Sequence, residues 1–284
     1  MTRSRLVLCL LVLGGLLVVA GQLLRFSGPR RAEAYFNRGA ALERAKKYAE
    51  ACEQYAKAVE LNPRHAAAYW GWAGSLTELG RYAEASEKCA RYVALDPHNA
   101  RVYCIWGSAL GSLRKWPEAC EEHAKAVEIE PRLAEAWQGW AAALAELGRY
   151  AEAFEKYAKA VEINPRYERA YFNWSILLGK LDRQAEECEK LARVVEINPR
   201  SVEAYYHWSV SLGQLGRYAE SCEKAERATA LNPRLAEAHM SWGLSLGDLG
   251  KRQEADEKLN KAVELKPDLK PVVDGVRMGW EEKK

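Results

Sequence analysis

Apolar and polar positions between residues 32 and 269 alternate with a helical period. Trp137, Trp140, Leu144 and Leu147 recur at three- and four-residue steps and draw one stripe; Tyr150, Ala153, Tyr157, Ala160 and Val161 draw a second. Gly148 separates the two, as Gly80, Gly216 and Gly250 do elsewhere, because glycine accepts the left-handed conformation that ends a helix. Asn164-Pro165 closes the second stripe, since a residue before proline is pushed out of the helical region. Pro117 falls at the start of a second stripe, where its missing N–H costs nothing.

The same sentence is written seven times. Pro63, Pro97, Pro131, Pro165, Pro199, Pro233 and Pro267 stand 34 residues apart without an insertion, a spacing that marks an array of helix pairs. The units are 32–65, 66–99, 100–133, 134–167, 168–201, 202–235 and 236–269. Beyond them Val273, Val276 and Trp280 continue the stripe of a first helix, so residues 270–284 are expected to cap the array, although Gly275 and Gly279 weaken that helix.

These units resemble tetratricopeptide repeats, whose pattern W-x2-L-G-x2-Y…A-x3-F…P reads here as Trp137-x2-Trp140-Ala141-x2-Leu144, then Ala153-x3-Tyr157, then Pro165. The resemblance covers residues 32–269. It implies an all-α, right-handed superhelical α-solenoid of seven helix-turn-helix repeats, and a protein-binding scaffold without catalysis. Where the family has leucine, six units carry Trp72, Trp106, Trp140, Trp174, Trp208 and Trp242, each followed by a small residue. The expectation is that the small residue lets paired helices approach while the tryptophan fills the space between them, which makes Trp140 a core wedge. Arg38 takes that place in the first unit, which has no preceding neighbour to cover it. The fifth unit departs most: Leu181-Asp182-Arg183-Gln184 replaces its turn, and Glu187 stands where Ala51, Ala85, Ala119, Ala153 and Ala255 stand. A carboxylate between packed helices is costly, so Glu187 is expected to turn outward.

Ahead of the array, Leu6 to Leu24 is an uncharged run of nineteen residues, long enough at 1.5 Å per residue to cross a bilayer core. With Arg3 and Arg5 before it and Arg25, Arg30 and Arg31 after it, residues 1–31 are expected to be a single-pass membrane anchor, its orientation undecided because both flanks are basic. A signal peptide cut after Ala20 is the alternative, releasing a soluble exported assembly chaperone. These five arginines also account for the net charge of +3; without them 37 basic residues face 39 acidic ones. Such a near-neutral body excludes a general attraction for nucleic acid.

The seven cysteines include no C-x-x-C pair, so neither a disulfide framework nor a zinc site is expected. Cys52, Cys120, Cys188 and Cys222 share one column of the second helix, too far apart from unit to unit to bridge. Glu53/Lys57, Glu155/Lys159, Glu189/Arg193 and Glu257/Lys261 are among the i,i+4 pairs expected on a solvated outer face. No metal-binding or nucleophile motif and no phosphate loop occurs, so neither cofactor, metal nor small-molecule substrate is expected.

In the family the first helices line a concave surface where peptides bind. By that resemblance the candidate partner-binding residues are Phe36, Trp70, Arg101, Phe172, Asn173, Tyr206 and His207, beside a floor of small residues such as Gly213 and Gly247. The chaperone-docking subgroup clamps a terminal carboxylate with lysine and asparagine; of its columns only Arg101 fits. The asparagine ladder of the sugar-transferase subgroup is reduced to Asn37 and Asn173. The expected function is therefore a scaffold that binds a protein segment in its groove and supports assembly of a complex at a membrane. A non-catalytic subunit positioning an enzyme is a further alternative.

Overall fold

The computed structural model describes residues 28–281, and every regular element among them is helical. The chain divides into two compact units, Met1–Arg149 and Tyr150–Lys284. The first holds α1 (described over 28–44), α2 (Tyr48–Leu61), α3 (Ala66–Glu78), α4 (Tyr82–Val93), α5 (Ala100–Ser112), α6 (Trp116–Ile129) and α7 (Ala134–Glu146). The second holds α8 (Tyr150–Ile163), α9 (Glu168–Lys180), α10 (Gln184–Ile197), α11 (Val202–Gln214), α12 (Tyr218–Leu231), α13 (Ala236–Asp248), α14 (Arg252–Leu265), a 3-10 turn (Pro267–Leu269) and α15 (Lys270–Glu281). Within each unit consecutive helices pack antiparallel-fashion as neighbours. Successive odd-numbered helices also touch, α3 on α5 and α5 on α7 in the first unit and α11 on α13 in the second. This is the helix-pair packing of a tetratricopeptide-type solenoid.

Two kinds of turn punctuate the chain. Gly80, Gly148, Gly216 and Gly250 take positive φ at the end of a first helix, and in the other repeats Lys46, Arg114 and Asp182 adopt the same conformation at φ 58°, 60° and 53° without glycine's freedom. The backbone closes the turn alike in both cases, with Arg81 N donating to Leu76 O and Arg183 N to Leu178 O. Between repeats, Asn-Pro-Arg forms an Asx turn: the side-chain oxygens of Asn62, Asn164, Asn198 and Asn232 each accept the N–H of the arginine two residues on at 3.1 Å. Thus Asn stops the helix with its side chain and Pro forbids its continuation. Pro117 sits at the first turn of α6.

The packing corrects the expected role of the small residues. In the first unit Tyr55 of α2, 1% exposed, lies between Gly39 and Gly71 of the flanking first helices; a Cβ on either would come within 2.7 Å of its ring atoms. His123 of α6 lies likewise between Gly107 and Gly139. In the sixth repeat the column is filled by Ala225, and the flanking positions are Ser209 and Ser241, hydrogen-bonded to each other at 2.9 Å. Large ring against two glycines, small alanine against two serines: one volume is shared by three helices. The tryptophans stand beside this seam and are half-buried. One side packs on the core, and a lysine of the second helix covers the ring, Lys88 over Trp72, Lys190 over Trp174, Lys224 over Trp208 and Lys258 over Trp242, at 4.0–4.6 Å. Trp140 is half-buried too, packed against the cluster that includes Ala126, Leu133 and Ala136.

Glu187 does not turn outward. It is 5% exposed, and its carboxyl meets the oxygen of Ser211, whose own proton goes to the His207 carbonyl at 3.0 Å. Room for it comes from Gly179, where a Cβ would lie 2.7 Å from Glu187 Oε2. Burial pushes the carboxyl above the usual carboxylate range. One repeat further on Ser221 holds the same position and meets Ser245 at 2.7 Å. Where the column is alanine, as at Ala85 and Ala119, the facing residues are Ala109 and Ala143.

The surface pairs also differ from expectation. Lys159, Arg193 and Lys261 reach forward to Glu162, Glu196 and Glu264 at i,i+3 instead of back to the glutamates four residues before them. Both choices lie on the solvated face, where an ion pair contributes little. Cys52, Cys89, Cys104, Cys120, Cys188 and Cys222 are free thiols.

The expectation of a single-pass membrane anchor is corrected. Among the described residues no helix is long and apolar enough to cross a membrane. The helices from α2 onward run to at most 14 residues, about 21 Å against a core of about 30 Å, and each keeps a polar face. The Leu6–Leu24 run on which the localisation and the membrane contact rested lies outside the described residues.

Candidate functional site

The expected contact residues separate into two groups. Phe36, Trp70 and Arg101 belong to α1, α3 and α5 of the first unit; Phe172, Asn173, Tyr206 and His207 belong to α9 and α11 of the second.

In the first unit the three residues differ in what they offer. Phe36 is half-buried, its ring 6.0 Å from Tyr55 and 5.0 Å from His65, so one face is already engaged. His65 in turn holds Glu33 at 3.2 Å. Trp70 is the open aromatic, 40% exposed. Arg101 is exposed, and its N–H is received by the Asn99 side chain, the cap that starts α5.

The second unit draws its residues together. His207 lies 5.8 Å from Phe172, edge to face, and 5.1 Å from Tyr206, while Asn173 is half-buried on the same helix as Phe172. Burial lowers the His207 pKa, opposed in part by the charge of Glu203, so the imidazole is neutral at pH 7. Phe172 also packs on the core around Tyr171, Leu191 and Val194, which leaves Tyr206 as the member that opens onto a cavity.

That cavity, about 380 Å³, lies over α11 and α13. Val210, Met240 and Leu244 form apolar walls, with Gly213, Ser241 and Ser245 beneath them. Gln214, Tyr218, Glu237 and Asp248 stand around the rim. Lys266 donates to Glu237 at 2.7 Å and holds its carboxyl below the usual range; burial raises the Tyr206 phenol. Of these residues only Tyr206 was among the expected contacts. The signal for the rest was present: Val210 and Gln214 follow Tyr206 at steps of four, as Leu244 and Asp248 follow Met240, so each set shares a helix face. Nothing in the chemistry of the cavity resembles a catalytic constellation, and among the described residues no group of three His, Cys, Asp or Glu is placed to hold a metal ion.

A family model for the tetratricopeptide repeat matches residues 32–65 and 134–167, and a second tetratricopeptide repeat model matches 236–269. No curated protein matches by sequence. Among solved structures the chain is similar to YrrB, a tetratricopeptide repeat protein with an unusual peptide-binding site (TM-score 0.56, 23% identity, covering 64% of this chain and 94% of that one). It is similar also to PilF of Pseudomonas aeruginosa (TM-score 0.62, 17% identity, 75% and 96%). MamA of Desulfovibrio magneticus RS-1 is a third such structure (TM-score 0.54, 21% identity, 60% and 96%). At these identities the likeness is one of fold.

Proposed function

This chain belongs to the tetratricopeptide repeat family, and from that premise we propose that it is a non-catalytic scaffold that binds a segment of a partner protein on its first helices. The contact residues on this reading are Phe36, Trp70 and Arg101 in one unit and Phe172, Asn173, Tyr206 and His207 in the other. The observation that carries it is the apolar cavity of about 380 Å³ beside Tyr206, a volume within the range of recognition pockets. Walls of side chains that already pack on their own helices leave such a cavity with no use in the fold. YrrB, similar in fold, has a peptide-binding site, which supports a polypeptide segment as the ligand.

Tyr206→Ser is the test. The ring is half-buried at the edge of the cavity, so its loss should leave helical content in place. Affinity capture with the full chain, wild type against variant, should yield a defined set of proteins that the variant loses at unchanged melting temperature. A set identical for both proteins, or none above background with wild type, would refute the proposal.

A further inference from the structure

The hydroxyl protons under the cavity all point away from it. Ser209 Oγ donates to the Tyr206 carbonyl at 2.7 Å, so the 2.9 Å contact between Ser209 and Ser241 requires Ser241 to be the donor. Ser221 Oγ donates to the Ser209 carbonyl at 2.7 Å, so in its 2.7 Å contact with Ser245 the proton must come from Ser245. Each serine has one proton, and each is directed downward into the helix packing. The floor therefore presents Cβ atoms and oxygen lone pairs, with no donor. Every charged residue lining the cavity is an acid, Glu237 at one end and Asp248 at the other. Lys266 neutralises Glu237, whereas Asp248 is exposed at the end of α13.

The cavity opens along α13, so the side chains of a segment laid over that helix can enter it. Asp248 follows Leu244 by one turn, about 6 Å along α13. In an extended chain, residues i and i+2 point the same way about 6.6 Å apart. The two spacings match.

Resting on the scaffold reading above, we infer that this cavity takes an extended partner segment of the form apolar-x-basic. Its aliphatic side chain enters between Val210 and Leu244, and its lysine or arginine meets Asp248. The segment's cation completes the charge at the open end, and Val210, Met240 and Leu244 surround its aliphatic side chain.

The test is selection of a random heptapeptide display library on the full-length chain, followed by titration of the enriched synthetic peptides into wild type and Asp248→Lys. Asp248 is a surface residue, so its replacement should leave the melting temperature unchanged. The expected result is an apolar-x-Lys/Arg consensus whose affinity falls about tenfold in the variant. A second selection on the variant should lose the cation. An enriched consensus without a cation, or affinity unaltered by Asp248→Lys, overturns this inference and leaves the scaffold reading standing. No enrichment on wild type overturns both.

Discussion

His123 gives the sharpest test of how this array is packed. Its ring is 3% exposed between Gly107 and Gly139, and burial alone pushes its pKa down to about 4. Tyr55 occupies the equivalent seam and offers no charge to acquire; His123 does. In the unfolded chain the imidazole protonates near 6.5, so between that pH and 4 the unfolded state holds a proton that the folded state refuses. The sign follows: the contribution is fully present above pH 6.5 and is lost as pH falls through 4. Each pH unit is worth about 1.36 kcal/mol, and the gap of about 2.5 units amounts to about 3 kcal/mol. Leucine stands in this column at Leu191 and Leu259, so His123→Leu should fold and be blind to this proton. Amide exchange of α6, measured from pH 7.5 to 4, reads the local stability that matters in an array of nearest-neighbour contacts. The difference between wild type and variant should be level above pH 6.5 and tilt steadily below it, with other titrating groups cancelling. A difference that stayed flat to pH 4 would refute the burial of a neutral imidazole.

Two further predictions follow from the same seams. Glu187 is raised above its ordinary pKa, so the stability of its neutral form is fully present below about pH 4.5 and is lost as pH rises through the folded value; Glu187→Gln should therefore gain on wild type in melting temperature between pH 4.5 and 8, and parallel curves would contradict the buried acid. Gly71→Ala places a Cβ 2.5 Å from the Tyr55 ring and should cost about 1–3 kcal/mol by urea denaturation, whereas an unchanged midpoint would mean that the ring is not lodged there.

The seams also mark where reading along the chain stops. The helices themselves were legible, because their ends depend on residues within one turn: Asn-Pro-Arg writes the Asx turn, and Gly148 or Gly216 supplies the left-handed step. The unbridged cysteine column was legible for a similar reason, since spacing by 34 residues puts its members on different repeats. Tyr206, a candidate from its column, lines the cavity; Val210, Leu244 and Asp248 line it too, and columns one repeat apart do not pick out residues one turn apart on the same face.

The sequence by itself determined the helix pairs, their phase and the first-helix face, since each is a matter of local backbone preference or of periodicity along one strand of text. Only the tertiary structure decided that Glu187 lies inside, that the glycines of the first helices make room for Tyr55 and His123, and that Ser241 and Ser245 turn their protons from the cavity. Each of these is settled by a volume or a hydrogen bond shared among three helices. A carboxylate that looks misplaced beside its own alanine column is well placed once Gly179 vacates the space and Ser211 faces it. The cost of burying a polar group depends on its partners, and those partners are brought within reach only when the helices pack.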